Sequence, residues 1–177
     1  MSTDMTTPVQ PLVIDHIGFL VENLEEAIER WSVATGYTFS PIARYRTQSW
    51  VDDSNPEPHW HDARISFSKE GSPAIELMEF HGEGTHSARE GEGFHHIAFM
   101  NVTDIQERKQ QMAQLGFSNN GQAIDENGNV ILWFTEKKDL NNVRLEYVSA
   151  DPQPIVADNG DALAPDAAGK PDLWAPR

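Results

Sequence analysis

The chain has no cysteine among its 177 residues, which removes a disulfide framework, a thiolate nucleophile and cysteine-ligated zinc from consideration. Positive charge is scarce: 13 lysines and arginines stand against 28 aspartates and glutamates, a formal net charge of −15. Nucleic-acid binding asks for a basic face, so no nucleic-acid partner is expected. No apolar run approaches the roughly 20 residues of a membrane span, and the opening MSTDMTTPVQ does not read as a signal peptide. A cytoplasmic protein without a membrane partner is the expectation. Also missing are a phosphate-binding P-loop, a dinucleotide glycine fingerprint after a strand, and a nucleophile elbow. The length suits one domain, or two small modules sharing a core.

Against these absences stands an internal repeat. VIDHIGFLV at 13–21 is answered 80 residues on by GFHHIAFMNV, with His96 at the position of His16. The same offset carries Asn23 onto Thr103, Gly36 onto Gly116 and Tyr37 onto Phe117. A repeat of this size decides the fold before any single residue does. Each copy also closes alike, with AIELMEF at 74–80 and VRLEYVS at 143–149 placing Glu76 and Glu146 at matched positions. From histidine to glutamate is 60 residues in the first copy and 50 in the second.

Alternation in the first strand puts Ile14, His16, Gly18 and Leu20 on one face, and in the second copy Phe94, His96, Ala98 and Met100. Both histidine faces lose bulk two residues on, at Gly18 and Ala98, leaving room beside the imidazole. A helix follows in each copy, with Asn23 and Glu26, then Thr103 and Gln106, as capping boxes. Leu24, Ala27, Ile28, Trp31 and Ala34 form an apolar stripe, and Gly36 and Gly116 sit where the helices stop. Three strands complete each unit, near 38–45, 63–68 and 74–80, then near 120–124, 130–136 and 143–149; Asn127-Gly128 signals a hairpin. The expected fold is α+β, two βαβββ modules forming a curved mixed sheet around a metal-binding cup. The modules are 12–80 and 94–149, with an arm at 1–11, a polar Gly-rich linker at 81–93 and an acidic Pro/Ala-rich tail at 150–177 without periodicity. The surplus of the first copy lies in TQSWVDDSNPEPHWH, 47–61, which reads as a binding loop or lid. Leu173 and Trp174 could dock the tail.

On the closing strands Glu76 shares a face with Ala74 and Met78, and Glu146 with Arg144 and Val148. The apolar pairs Ile75-Leu77 and Leu145-Tyr147 suit the helix-packed side, so both carboxylates fall on the concave side. If the histidines share it, two imidazoles and two carboxylates converge on a set suited to a divalent first-row metal such as zinc, nickel, cobalt, manganese or iron. A lone histidine or glutamate in a strand is usually a satisfied or solvated residue; a matched pair in each half is not explained that way, since buried carboxylates without partners are costly.

The two βαβββ units, the DHIGFLVENLEEA and GFHHIAF openings and the IEL and LEY closings resemble the vicinal oxygen chelate superfamily of glyoxalases, bleomycin resistance proteins and dioxygenases. The likeness spans about 13–149 and is closest in wording to the methylmalonyl-CoA epimerase-like and glyoxalase I branches. Position by position, it implies His16, Glu76, His96 and Glu146 as metal ligands. It further implies a lyase or isomerase that stabilises an enolate or enediolate of a small-molecule substrate, with Glu146 or Glu76 as the base, and a homodimer. A metal-independent sequestering protein and an iron-dependent ring-cleaving dioxygenase are the alternatives. Arg144, on the strand face of Glu146, could clamp an anionic group, as could Arg44 and Arg64. Trp50, Trp60 and His61 are candidate substrate contacts, with His59 beside them; Trp133 is pocket or core. His81 and His86 receive no role.

Overall fold

A computed structural model describes residues 10–174. The first module runs β1 (His16–Val21), α1 (Leu24–Thr35), β2 (Ala43–Asp52), β3 (Asn55–Phe67) and β4 (Ala74–Glu79). The second runs β5 (Gly93–Val102), α2 (Ile105–Gln114), β6 (Asn119–Ile124), β7 (Val130–Thr135) and β8 (Arg144–Ser149), and β9 (Ile155–Ala157) follows. All nine strands belong to one mixed sheet, ordered β3-β4-β1-β5-β8-β7-β6-β2-β9, and β2 also pairs with β3. That extra pairing curls the sheet into a barrel-like cup. The fold is α+β, as the repeat implies.

Each helix lies on the outside of its own module. Asn23 caps α1 by accepting from the Glu26 amide at 2.9 Å, and Gly36 ends it at φ 77°. Its apolar stripe meets Val21, Ile75 and Leu77. Under α2, Ile105 and Met112 meet Val102, Trp133 and Tyr147, so Trp133 is core, stacked 4.7 Å from Tyr147. The Thr103 capping box does not form; Asp104 precedes α2 at φ 54° with no side-chain cap. The helix starts one position later than the repeat implies, and its first residue, Ile105, joins the apolar cluster. Inside the cup a third cluster includes Leu20, Tyr45, Trp50, Ile65, Met78, Leu132 and Phe134.

Three segments depart from the sequence reading. The stretch 47–61 is no loop: β2 and β3 extend into a long hairpin, and Trp50–Asp52 also pairs with Gly121–Ala123 of β6. Pro56 and Pro58 fit because β4 pairs only with Ile65–Phe67 of β3, so the outer side of the hairpin needs no ladder donors there. Second, β5 is irregular between Phe94 and His96: Gly18 faces His96, yet Phe19 faces Phe94. The extra residue, His95, turns Phe94 off the histidine face and toward Phe19, 6.1 Å away ring to ring. Third, the tail docks. Ile155–Ala157 pairs with Ala43–Tyr45, Asp158 accepts from Arg44 and Arg64 at 3.0 and 3.2 Å, and Leu173 packs on the cup cluster. Residues 1–9 of the expected arm and 175–177 of the tail lie outside the described residues.

Candidate metal centre

Strand register builds the centre. Antiparallel pairing sets Gly18 opposite His96 and His16 opposite Ala98. Parallel pairing sets Gly18 beside Glu76 and Ala98 beside Glu146. Each small residue is thus flanked by the glutamate of its own half and the histidine of the other. A β-carbon on Gly18 would lie 2.2 Å from His96 Cε1. The room left at Gly18 is filled by the imidazole of the second copy.

The four side chains meet. His16 Nε2 stands 3.3 Å from Glu76 Oε2 and 3.2 Å from Glu146 Oε2, and His96 Nε2 stands 3.3 Å from each. All four residues are buried, and one donor atom from each lies within 4.8 Å of the other three. Of the close pairs, His16 with Glu146 is aligned as a hydrogen bond, whereas Glu76 Oε2 and His96 Nε2 have no hydrogen-bond partner within the protein. Buried polar atoms left so are expensive, about 1–3 kcal/mol each and more when charged. Nitrogen and oxygen ligands sit about 2.0–2.2 Å from a zinc-sized ion, a radius these separations accommodate. The donor set fits a divalent ion, and His16, Glu76, His96 and Glu146 could hold one.

Outer partners fix both imidazoles. His16 Nδ1–H donates to Asp15 Oδ1 at 2.8 Å. On the other side, His95 Nε2–H donates to the Thr85 carbonyl at 2.8 Å, which leaves its Nδ1 to accept from His96 Nδ1–H at 2.9 Å. His96 therefore presents the lone pair of Nε2 to the centre, the arrangement that metal-binding histidines adopt. Electrostatics agree. Burial by itself would favour neutral rings, but Glu76, Asp15 and Glu146 hold the His16 pKa well above its ordinary value, and Glu146 with Glu76 raises that of His96. Burial likewise opposes ionisation of the two glutamates, and the imidazoles override it, lowering both carboxyl pKa values. Without a cation, protons take its place.

A cavity of about 30 Å³ touches both glutamates and is walled by Tyr45, Trp50, His61 and His86 among others. Trp50 is fully buried, stacked on His61 at 4.2 Å, with its indole N–H donated to Asp52 at 2.8 Å. Trp60 is half exposed and lines a second, larger cavity. Arg144 is buried but turned away, bonded to Glu90 at 3.1 Å in a different cavity shared with Lys137. Arg44 and Arg64 are held by the tail and by Asp62 and Glu79. His95 and His86 escaped sequence reading. The doublet His95-His96 was in plain view, but strict alternation sends its first member outward, and only the bulge brings it in.

A duplicated cup of βαβββ modules with a buried His/Glu quartet is the class that fold and site define. A family model for the glyoxalase/bleomycin resistance protein/dioxygenase superfamily matches residues 15–119, and the chain belongs to that superfamily. Among solved structures, a hypothetical protein from Bacillus halodurans is similar at 21% identity and TM-score 0.54, covering 79% of this chain and 95% of its own. Methylmalonyl-CoA epimerase from Streptomyces coelicolor, in complex with 2-nitronate-propionyl-CoA, is similar at 20% identity and TM-score 0.51, covering 81% and 97%. The epimerase from Mycobacterium tuberculosis is similar at 18% identity and TM-score 0.50, covering 85% and 97%. These likenesses concern the fold. No curated protein matches the sequence. Among the described residues, no helix is long and apolar enough to cross a membrane.

Proposed function

We propose that this chain is a divalent-metal-dependent lyase or isomerase that removes a proton beside a carbonyl of a small oxygenated substrate, by way of an enolate or enediolate. The observation that carries this reading is the quartet: two imidazole nitrogens, each 3.2–3.3 Å from each of two carboxylate oxygens, all buried and two of the four atoms unpartnered. A cation held by His16, Glu76, His96 and Glu146 would supply Lewis-acid stabilisation of charge on substrate oxygen, several kcal/mol in such reactions.

The remaining work falls to the chain. Glu146 and Glu76 both border the small cavity, so either can reach a proton on a group seated there. We assign the proton transfer to Glu146. Asp15 and His95 orient the two imidazoles, and Trp50, Tyr45 and Phe134 keep bulk water away. Ring-cleaving iron oxygenases typically use two histidines and one carboxylate; the second carboxylate here favours proton transfer over oxygen activation.

The test joins metal content to hydrogen exchange. Wild type reconstituted with zinc, cobalt or manganese is expected to hold close to one equivalent, and His16→Ala to lose it. Glu146→Gln is expected to keep its fold by circular dichroism while abolishing exchange of substrate α-hydrogens in deuterated water, followed by proton NMR across hydroxyketones and branched acyl thioesters. A wild type that binds no metal in dialysis would overturn the reading and leave a sequestering protein.

A further inference from the structure

Next to the metal centre lies a cavity of about 410 Å³ between the β2–β3 hairpin and the segment 81–86. His61 and His86 border both this cavity and the small one at Glu76 and Glu146. They stand where the two spaces meet. Their rings lie 4.9 Å apart, Trp50 stacks on His61 at 4.2 Å, and His81 packs edge-on to it at 4.9 Å. His59 and Trp60 complete the outer wall.

The chemistry of this wall is one-sided. Among the described residues, no lysine or arginine lines either cavity. Arg46 lies over the Trp60 ring at 5.8 Å, but its guanidinium is tied to Asp62 at 3.2 Å. Acid is present instead: Asp52 lines the chamber, and so does Glu83, which is paired with Arg89 at 2.7 Å. Burial, then the neighbouring imidazoles, push the pKa values of His61 and His86 well below the ordinary one, which favours the neutral form of both rings. Phosphate recognition relies on arginine, lysine or clustered backbone donors, and the net charge of −15 repels anions at longer range as well. Neutral imidazoles, by contrast, each carry one donor and one acceptor. The Nδ1 of His86 is buried with no partner, and so is the Thr85 hydroxyl on the same segment. Unpaired groups of this kind call for hydroxyl or carbonyl oxygens.

We propose that this imidazole-walled chamber holds the body of the substrate, and that it takes an uncharged hydroxy- or oxo-compound rather than a phosphorylated or coenzyme A-linked one. The chamber's volume lies within the range of about 300–1,000 Å³ common to small-molecule sites. This inference rests on the quartet acting as a metal centre, and it separates this chain from the coenzyme A complex described for its structural neighbour. A phosphorylated ligand entering the same space would meet the Asp52 carboxylate with no lysine or arginine in the lining to offset it.

The probe pair is 2-hydroxyacetophenone and its phosphate ester, titrated into zinc-loaded protein whose histidine rings are labelled with nitrogen-15. The uncharged ketone is expected to shift the His61 and His86 resonances and to bind at least about tenfold more tightly than the ester, one ion-pair's worth of discrimination. His59→Lys, at the half-exposed outer wall, is expected to raise the ester's affinity by about tenfold. Equal or tighter binding of the ester by wild type would overturn the proposal. So would the absence of any shift at His61 and His86 from either probe while the zinc stays bound. Loss of zinc itself would instead defeat the metal-centre reading, and zinc content is measured separately in the same samples.

Discussion

Two groups of buried histidines lie within one cup and behave oppositely. His16 and His96 are raised above the ordinary imidazole pKa, whereas His61, His86 and His95 are pushed well below it. Burial favours the neutral ring in all five. Carboxylates make the difference: Glu76 and Glu146 stand 3.2–3.3 Å from the first pair, while the other three have mainly imidazoles and, for His86 and His95, Arg144 beside them. Residue type and depth therefore do not assign a histidine's role; its nearest charge does. On the proposed reading, the first group trades protons for a cation, and the second presents neutral donors and acceptors.

The largest break in this contrast is His96→Ala. It strands two buried carboxylates, so the metal-free protein should lose about 3–5 kcal/mol in urea unfolding, and metal affinity should fall by more than about 100-fold in competition with a chromophoric chelator. Gly18→Ala comes next. The new β-carbon has to displace the His96 ring, 2.2 Å away, and metal affinity should drop about 10- to 100-fold, although no ligand has been changed. His95→Phe keeps a ring in place but removes the acceptor for His96 Nδ1–H. It should weaken the metal by about tenfold, read by the same chelator competition.

The quartet was legible because the repeat states it twice and alternation is local. Period-2 strands send Glu76 and Met78 one way and Ile75 and Leu77 the other, and the helices claim the second set. What alternation could not reach depends on departures from it. The bulge at His95 inverts the face of Phe94 and brings in a residue that strict counting sends out. The hairpin 47–61 carries two prolines, an ordinary mark of a loop, yet it holds its register because β6 pairs with Trp50–Asp52. The tail has no periodicity because it is held by single contacts: three residues of ladder, Asp158 between two arginines, and Leu173 on the core. His86 escaped for a related reason. A polar glycine-rich segment gives no sign of burial, and Gly84 lets it press on the hairpin, since a β-carbon there would lie 2.0 Å from Asp52 Oδ2.

The finest test of the histidine contrast is the pH dependence of stability in the metal-free protein. For His61, His86 and His95 the folded pKa lies below the ordinary 6.5, so the unfolded chain binds more protons. Their contribution is complete above pH 6.5 and is lost as pH falls toward the folded values. His16 and His96 have the opposite sign: their contribution is complete below pH 6.5 and fades as pH rises through the raised folded values. Melting temperature should therefore fall on both sides of an optimum. His86→Phe should flatten the acidic limb and leave the alkaline one in place. Added zinc should lift the alkaline limb instead, because a cation replaces the protons that His16 and His96 give up. Should His86→Phe leave the acidic limb as steep as in wild type, the two groups would not be electrostatically distinct in the way their carboxylate neighbours dictate.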